Sequence, residues 1–349
     1  MAMARVIFLG FAIGLSFGIF TTYVALDYYR SGGSLNSYLR HEKFSQSGAH
    51  FVEFDDDDEV HGTHSSGTKR VRLVPSMNFD KDMNDKHHRL SQNISDRLKK
   101  VRVLCWVMTS PKTLYAKGRP VKETWGKRCD KLLFMSSKED KSFPAVGLDV
   151  PEGHEKLWHK TRAAWQYIYD HHLNDAEWFL KADDDTYIIV ENLKFFCSKY
   201  NPEKPYFFGR HFKTFGGYNS GGAGYVFSKE TLRRFGKLLK DPSLCSLQSF
   251  AEDVEVGKCL ANAGVHPGDT RDSRQRETFH PFPPEHHLIS GYVPKDSWLY
   301  QYNNHPVIDG PDCCADHSIA FHYISPNMMY QMEYFVYHLR PYGLEHHDD

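Results

Sequence analysis

No charge of either sign dominates this chain. Lys and Arg number 43, Asp and Glu 44, in 349 residues, a formal net charge of −1. A protein that grips a phosphate backbone needs a basic excess, so no nucleic-acid partner is expected. Apolar sequence is scarce overall, and a mean hydropathy of −0.56 excludes a polytopic membrane protein. The seven cysteines form no CxxC pair, and none shares zinc-finger spacing with histidine. Neither a P-loop nor a GxGxxG fingerprint is present. What remains is 40% hydrophobic and 25% charged, a globular composition.

One apolar run breaks the average. Residues 6–26, from Val6 to Leu26, carry no charge. At helical rise they reach about 31 Å, enough for a bilayer core of about 30 Å. A cleaved signal peptide has a shorter apolar region ending in small residues, and Tyr23-Val24-Ala25-Leu26 makes a poor cleavage site. The expectation is a signal anchor over 6–26, a cytosolic tail over 1–5 and a lumenal C-terminus. An oxidising lumen would pair up to six cysteines, in any of about 105 ways, and the spacings do not choose among them. Asn93-Ile94-Ser95 is the one glycosylation sequon.

Residues 27–97 lack apolar periodicity. They hold the acidic run Asp55–Glu59 and the stretch from His61 to Gly67. Like charges in a bunch repel and extend the chain, so this segment reads as a largely disordered stem. Residues 98–349 read as one folded domain. Val101–Met108, Leu132–Met135 and Glu177–Ala182 have strand patterns. Glu155–His172 and Val190–Lys199 have helical ones. Strands alternating with helices predict an α/β sheet.

Three clusters carry candidate chemistry. Asp183-Asp184-Asp185 follows an apolar strand, and ligands gather beyond the carboxyl ends of strands in such sheets. If the strand continues, Asp183 and Asp185 share one side. Two converging carboxylates repel, and a hard divalent cation shared with substrate phosphates relieves that repulsion. Asn219–Ser228 contains a glycine-rich turn, fit either for a tight turn or for close approach to a ligand. Glu252-Asp253 opens a candidate helix, where the acids either cap it or include a general base. His322, between apolar neighbours, fits core packing, yet imidazole is also a good ligand for Mn²⁺.

Glu123-Thr124-Trp125-Gly126, Lys181–Tyr187, Ser220–Tyr225 and Glu252-Asp253-Val254 occur in that order. Together they resemble the β1,3-glycosyltransferases of family 31. Pro151–Thr161, Cys313-Cys314 and Phe321–Ile324 are similar to the members that add galactose to α-GalNAc. The likeness spans about residues 98–340 and leaves out the stem. It implies a GT-A, Rossmann-like α/β catalytic domain on a type II Golgi membrane protein. The implied donor is UDP-galactose, the cofactor Mn²⁺, and the acceptor α-GalNAc on Ser or Thr of glycoproteins. By position, Asp183, Asp185 and His322 are the implied metal ligands. Met108, Glu152, Gly153, His154, Lys160, Asp183 and Tyr323 are the implied donor residues. Trp298 is the acceptor platform and Asp253 the base. A homodimer is implied, and so is a folding chaperone, a relative without the DxD acids. The short tail and long acidic stem depart from the family pattern. Two competing expectations are a non-catalytic chaperone or binding relative on this fold, and a β1,3-glycosyltransferase for other sugars.

Overall fold

The computed structural model describes residues 92–249 and 251–342. The expected tail, anchor and most of the stem lie outside the described residues. Among those described, no helix is long and apolar enough to cross a membrane.

Twelve strands are described: β1 Val103–Met108, β2 Lys131–Ser136, β3 Ala145–Gly147, β4 Trp178–Asp183, β5 Tyr187–Ile188, β6 Phe207–Gly209, β7 His211–Phe212, β8 Tyr218–Asn219, β9 Tyr225–Ser228, β10 Pro267–Gly268, β11 Phe279–His280 and β12 Ala320–Phe321. Between and around them run α1 Gln92–Lys99, α2 Arg119–Glu123, α3 Leu157–His172, α4 Val190–Cys197, α5 Lys229–Leu238, α6 Glu252–Ala261, α7 Pro284–Leu288, α8 Trp298–Tyr302 and α9 Pro326–Tyr337.

The main sheet has the order β10-β6-β9-β4-β1-β2-β3. β1 runs parallel to β2 and β4, while β9 is antiparallel to β4 and β6. β1 and β4 lie near the centre, covered on both faces, so β1 is apolar throughout and β4 is apolar except for Lys181 and its terminal Asp183. The side-chain period of two sends Val103, Cys105 and Val107 into one core and Leu104, Trp106 and Met108 into the other. The first core continues into Leu193 of α4 and Met329 of α9. The second takes Trp165 and Ile168 of α3, Leu232 and Phe235 of α5, and Leu260 of α6. Trp165 is its hub, stacked on Phe227 at 4.3 Å and edge-on to Trp106 at 5.4 Å.

α3 begins at Leu157 because a short 3-10 turn, His154–Lys156, takes up the first residues of the expected helix. Three disulfides close among the described residues: Cys105–Cys129, Cys245–Cys259 and the neighbours Cys313–Cys314. Cys197 stays a buried thiol.

Two pairings build the ground for the site. Met108 and Asp183 are register partners at the carboxyl ends of β1 and β4. β5, just past the aspartates, pairs antiparallel with β12, and β12 runs directly into His322. Residues more than 130 positions apart in sequence thus meet at one sheet edge.

Candidate active site

The aspartate triplet does not continue as a strand. β4 ends at Asp183, and a turn follows in which Thr186 N donates to the Asp183 carbonyl at 3.1 Å. The Thr186 hydroxyl locks that turn, accepting from Asp183 N at 3.2 Å and donating to the Gly222 carbonyl at 2.8 Å. Asp183 and Asp185 therefore converge through a turn rather than through strand alternation. With His322 they offer one ligand atom each, all within 4.8 Å of one another. Among the described residues no other set of His, Cys, Asp and Glu gathers this way. Two carboxylates with one imidazole form a mixed oxygen and nitrogen donor set, which fits a divalent ion of the Mn²⁺ type.

The middle acid points elsewhere. Asp184 Oδ2 accepts from Thr109 Oγ1 at 2.8 Å and Thr113 Oγ1 at 2.7 Å. Burial, with Asp185 adding repulsion, pushes its carboxyl up to about 7. Burial also works upward on Asp185, but the His322 imidazole and Lys117 overcome it and hold that carboxyl below the usual range. His322 Nε2 lies 3.3 Å from Asp185 Oδ1, and Lys117 Nζ lies 3.4 Å from Oδ2.

His322 is held by its own backbone. Its N–H donates to the His280 carbonyl at 3.1 Å, and Ile324 N donates to the Asp185 carbonyl at 2.8 Å. Between them Tyr323 sits at φ 57°, a conformation uncommon for an aromatic residue. Its ring stacks on His322 at 3.9 Å. Burial first, then Asp185 and Asp183, raises the Tyr323 phenol to about 12.

The glycine turn resolves as close approach between chain segments. A Cβ on Gly222 would collide with the His322 ring, and one on Gly221 with the Glu252 carboxylate. Only glycine at both positions lets the imidazole and the acidic N-terminus of α6 approach the turn from two sides. On the α6 side, Asp253 Oδ2 accepts from Gly221 N at 2.9 Å and Oδ1 from Val254 N at 2.8 Å. Burial raises the Asp253 carboxyl against the pull of those two N–H groups.

One residue missed in the sequence ties these parts together. Lys181 is 1% exposed and sends Nζ to Asp183 Oδ1 at 2.7 Å, Glu252 Oε1 at 3.0 Å and the Gly221 carbonyl at 3.0 Å. Burial alone would lower its pKa, yet Asp183 and Glu252 keep it raised above the ordinary lysine value. A lysine inside the apolar strand Trp178–Ala182 was the signal, since a buried cation must have buried anions beside it. Lys117, Thr109 and Thr113 were also missed; their partners come from long-range pairing.

Of the expected donor residues, Met108 lies beside Asp183. Lys160, buried, donates to the Thr109 carbonyl at 2.8 Å and to Glu152 Oε2 at 2.6 Å. Glu152, Gly153 and His154 form an exposed rim, with Gly153 at φ 128°. Trp298 is 40% exposed. It packs on Phe212 and Phe282, each at 5.6 Å, and Phe282 in turn stacks with Tyr323 at 6.1 Å. An aromatic row thus runs from the imidazole to the exposed tryptophan.

Residues 99–269 match the Fringe-like family. Glycoprotein-N-acetylgalactosamine 3-beta-galactosyltransferase 1 of Xenopus laevis is 47% identical over 279 residues, covering 79% of this chain and 76% of that protein. A beta-1,3-glucosyltransferase of Mus musculus is 31% identical over 150 residues, 42% of this chain and 30% of that protein. Among solved structures, the galactosyltransferase LgtC in complex with donor and acceptor sugar analogs aligns with a TM-score of 0.39 and 10% identity. That alignment covers 68% of this chain and 97% of LgtC. The 47% identity over most of both chains is of another order, and by it the chain belongs to the glycoprotein-N-acetylgalactosamine 3-beta-galactosyltransferase family.

Proposed function

We propose that this chain transfers galactose from UDP-galactose to the 3-hydroxyl of α-GalNAc on Ser or Thr, with inversion, in a GT-A catalytic domain. The observation that carries this reading is the meeting of Asp183, Asp185 and His322 across a two-glycine turn from Asp253. Donor-holding and proton-accepting groups then share one small site. The Xenopus relative carries the same two sugars in its name.

Asp183, Asp185 and His322 would hold Mn²⁺. Bound there, the ion supplies positive charge to the diphosphate of the donor. Lys160 adds a fixed cation beside Glu152, and Met108, Gly153, His154 and Tyr323 frame the nucleotide pocket. Asp253, raised by burial and oriented by Gly221 N, accepts the proton of the acceptor 3-hydroxyl. That oxygen bonds to the anomeric carbon of galactose as the bond from this carbon to the phosphate oxygen breaks. UDP leaves with the electron pair, and one displacement converts the α-linked donor to a β-linked product. Trp298 offers its exposed face for stacking on the acceptor sugar.

The same reading extends to the rest of the chain. Residues 1–5 form a cytosolic tail, 6–26 a single-pass anchor, 27–97 a lumenal stem and 98–349 the catalytic domain of a type II Golgi enzyme. The working form is a homodimer whose folding draws on a related chaperone.

A donor and acceptor panel tests it. The purified full chain is given UDP-galactose, UDP-GlcNAc or UDP-glucose, with GalNAc-peptide, galactose or fucose acceptors, with and without Mn²⁺. The expected product is β1,3-linked galactose on the GalNAc-peptide, formed only with Mn²⁺. Transfer of another sugar would change the specificity, and client binding without any transfer would point to the chaperone-like alternative.

A further inference from the structure

The mechanism leaves one acid of the Glu252-Asp253 pair without a task. Glu252 is 8% exposed, and its two oxygens are treated very differently. Oε1 accepts from Lys181 Nζ at 3.0 Å. Oε2 is buried and has no hydrogen-bond partner among the described residues. A buried carboxylate oxygen without a donor is costly, so such an atom in a native site calls for an explanation.

Its place supplies one. Lys181 links Glu252 to Asp183, so this acid belongs to the nucleotide-holding side of the site. Gly221 abuts the Glu252 carboxylate and Gly222 abuts His322, so the two-glycine turn brings Glu252 and the imidazole to neighbouring positions. Asp253, the next residue, must reach a hydroxyl that bonds to the anomeric carbon of the transferred sugar. That sugar therefore lies beside the N-terminus of α6, with its ring hydroxyls facing the walls around it. The only unpartnered carboxylate oxygen among the described buried groups belongs to Glu252, the residue next to Asp253 at that N-terminus.

We propose that Glu252 Oε2 accepts a hydrogen bond from a ring hydroxyl of the transferred galactose, making Glu252 a specificity residue for the donor sugar. The inference rests on the galactosyl-transfer reading above. Burial pushes the Glu252 carboxyl up to about 7; Lys181 pulls it down and Asp253 pushes it up again. A hydroxyl donated to Oε2 stabilises the charged form. A donor lacking that hydroxyl leaves the oxygen stranded, and buried unpaired groups reject such analogues strongly. The acceptor sugar also carries hydroxyls, and the link through Lys181 to Asp183 is what assigns the contact to the donor.

The test is a cycle of enzyme and substrate deletions. Full-chain wild type, Glu252→Gln and Glu252→Asp are assayed with Mn²⁺ and a GalNAc-peptide. The donors are UDP-galactose and its 2-, 3-, 4- and 6-deoxygalactose analogues. Glu252→Gln is expected to lose roughly 10- to 100-fold in kcat/KM on UDP-galactose, the range for a hydrogen bond to a charged group. The penalty should shrink to within about threefold on one deoxy donor, because that donor has already lost the same bond. Affinity for UDP should stay nearly unchanged. An equal penalty on every deoxy donor overturns the proposal, and so does a penalty abolished by a deoxy-GalNAc acceptor instead. Glu252→Asp keeps the charge beside Lys181 and runs the same cycle if the Gln variant fails to fold. Wild type making no product from UDP-galactose would instead refute the transfer reading itself, a distinguishable result.

Discussion

Asp253 can accept a proton only as its carboxylate. Burial raises its pKa, so acidification protonates it earlier than an exposed aspartate. Turnover should fall as pH drops through this raised value and recover as pH rises. The kcat/KM profile of the wild type is expected to show an acid limb with its midpoint above the ordinary aspartate range. Asp253→Asn should remove roughly 10²–10⁴-fold of turnover at every pH while UDP still binds with Mn²⁺. An Asn variant with wild-type turnover would take the base assignment away from this residue. Asp184 plays a different part, despite its place in the triplet. Its hydroxyl partners Thr109 and Thr113 fasten the DxD turn to the loop after β1.

Among the elements, α9 shows how a distant helix steadies the site. It starts at the Ser325 cap, three residues after His322. Arg128 grips Glu333 of α9 with two N–H groups, at 2.9 and 2.7 Å, and the Tyr187 hydroxyl donates to the same carboxylate at 3.1 Å. Glu333 is fully buried and Tyr187 lies in β5, two residues past Asp185. Glu333→Ala removes the closest partners of the buried Arg128 guanidinium, leaving it the Thr124 carbonyl at 3.2 Å and Glu191 at 3.6 Å, and should cost about 3 kcal/mol of stability, read by denaturant unfolding. A change below about 1 kcal/mol would show that the pair contributes little net. The elements differ sharply in how legible they were. β1, β2, β4, α3 and α4 could be placed to within a few residues, because continuous apolar runs and a 3.6-residue period are local signals, whereas of α6 only the acidic start was marked. β5, β11 and β12 have two residues each, and no period can be read from two residues. The same limit applied in the site. The acids at Asp183, Asp185 and Asp253 stood out by local context, whereas Lys117 and the two threonines acquire meaning only through pairing.

At the scale of the described fold, a disulfide staples an inner strand of the main sheet, next to its middle strand β4. Cys105 lies in β1, between β2 and β4, and bonds Cys129 across a sequence separation of 24. Closing a loop of that length restricts the unfolded chain by about 3 kcal/mol. The double variant Cys105→Ala with Cys129→Ala should lower the unfolding free energy by about that amount, measured in denaturant without reductant. No loss would mean that packing around β1 alone sets stability. The pairing itself could not be read from seven cysteines, because proximity in space depends on the register of strands far apart in the chain. The α/β class was legible, while the antiparallel β9 inside a parallel sheet was not.

The pair Gly221 and Gly222 has a consequence for how such a molecule can change over generations. Two bare backbone units stand between the His322 ring on one side and the Glu252 carboxylate on the other. No side chain is available there to absorb a shift on one side without passing it to the other. Variants that move one half must move both, so descendants with new sugar preferences are expected to vary in the outer rim and aromatic row while leaving this partition untouched.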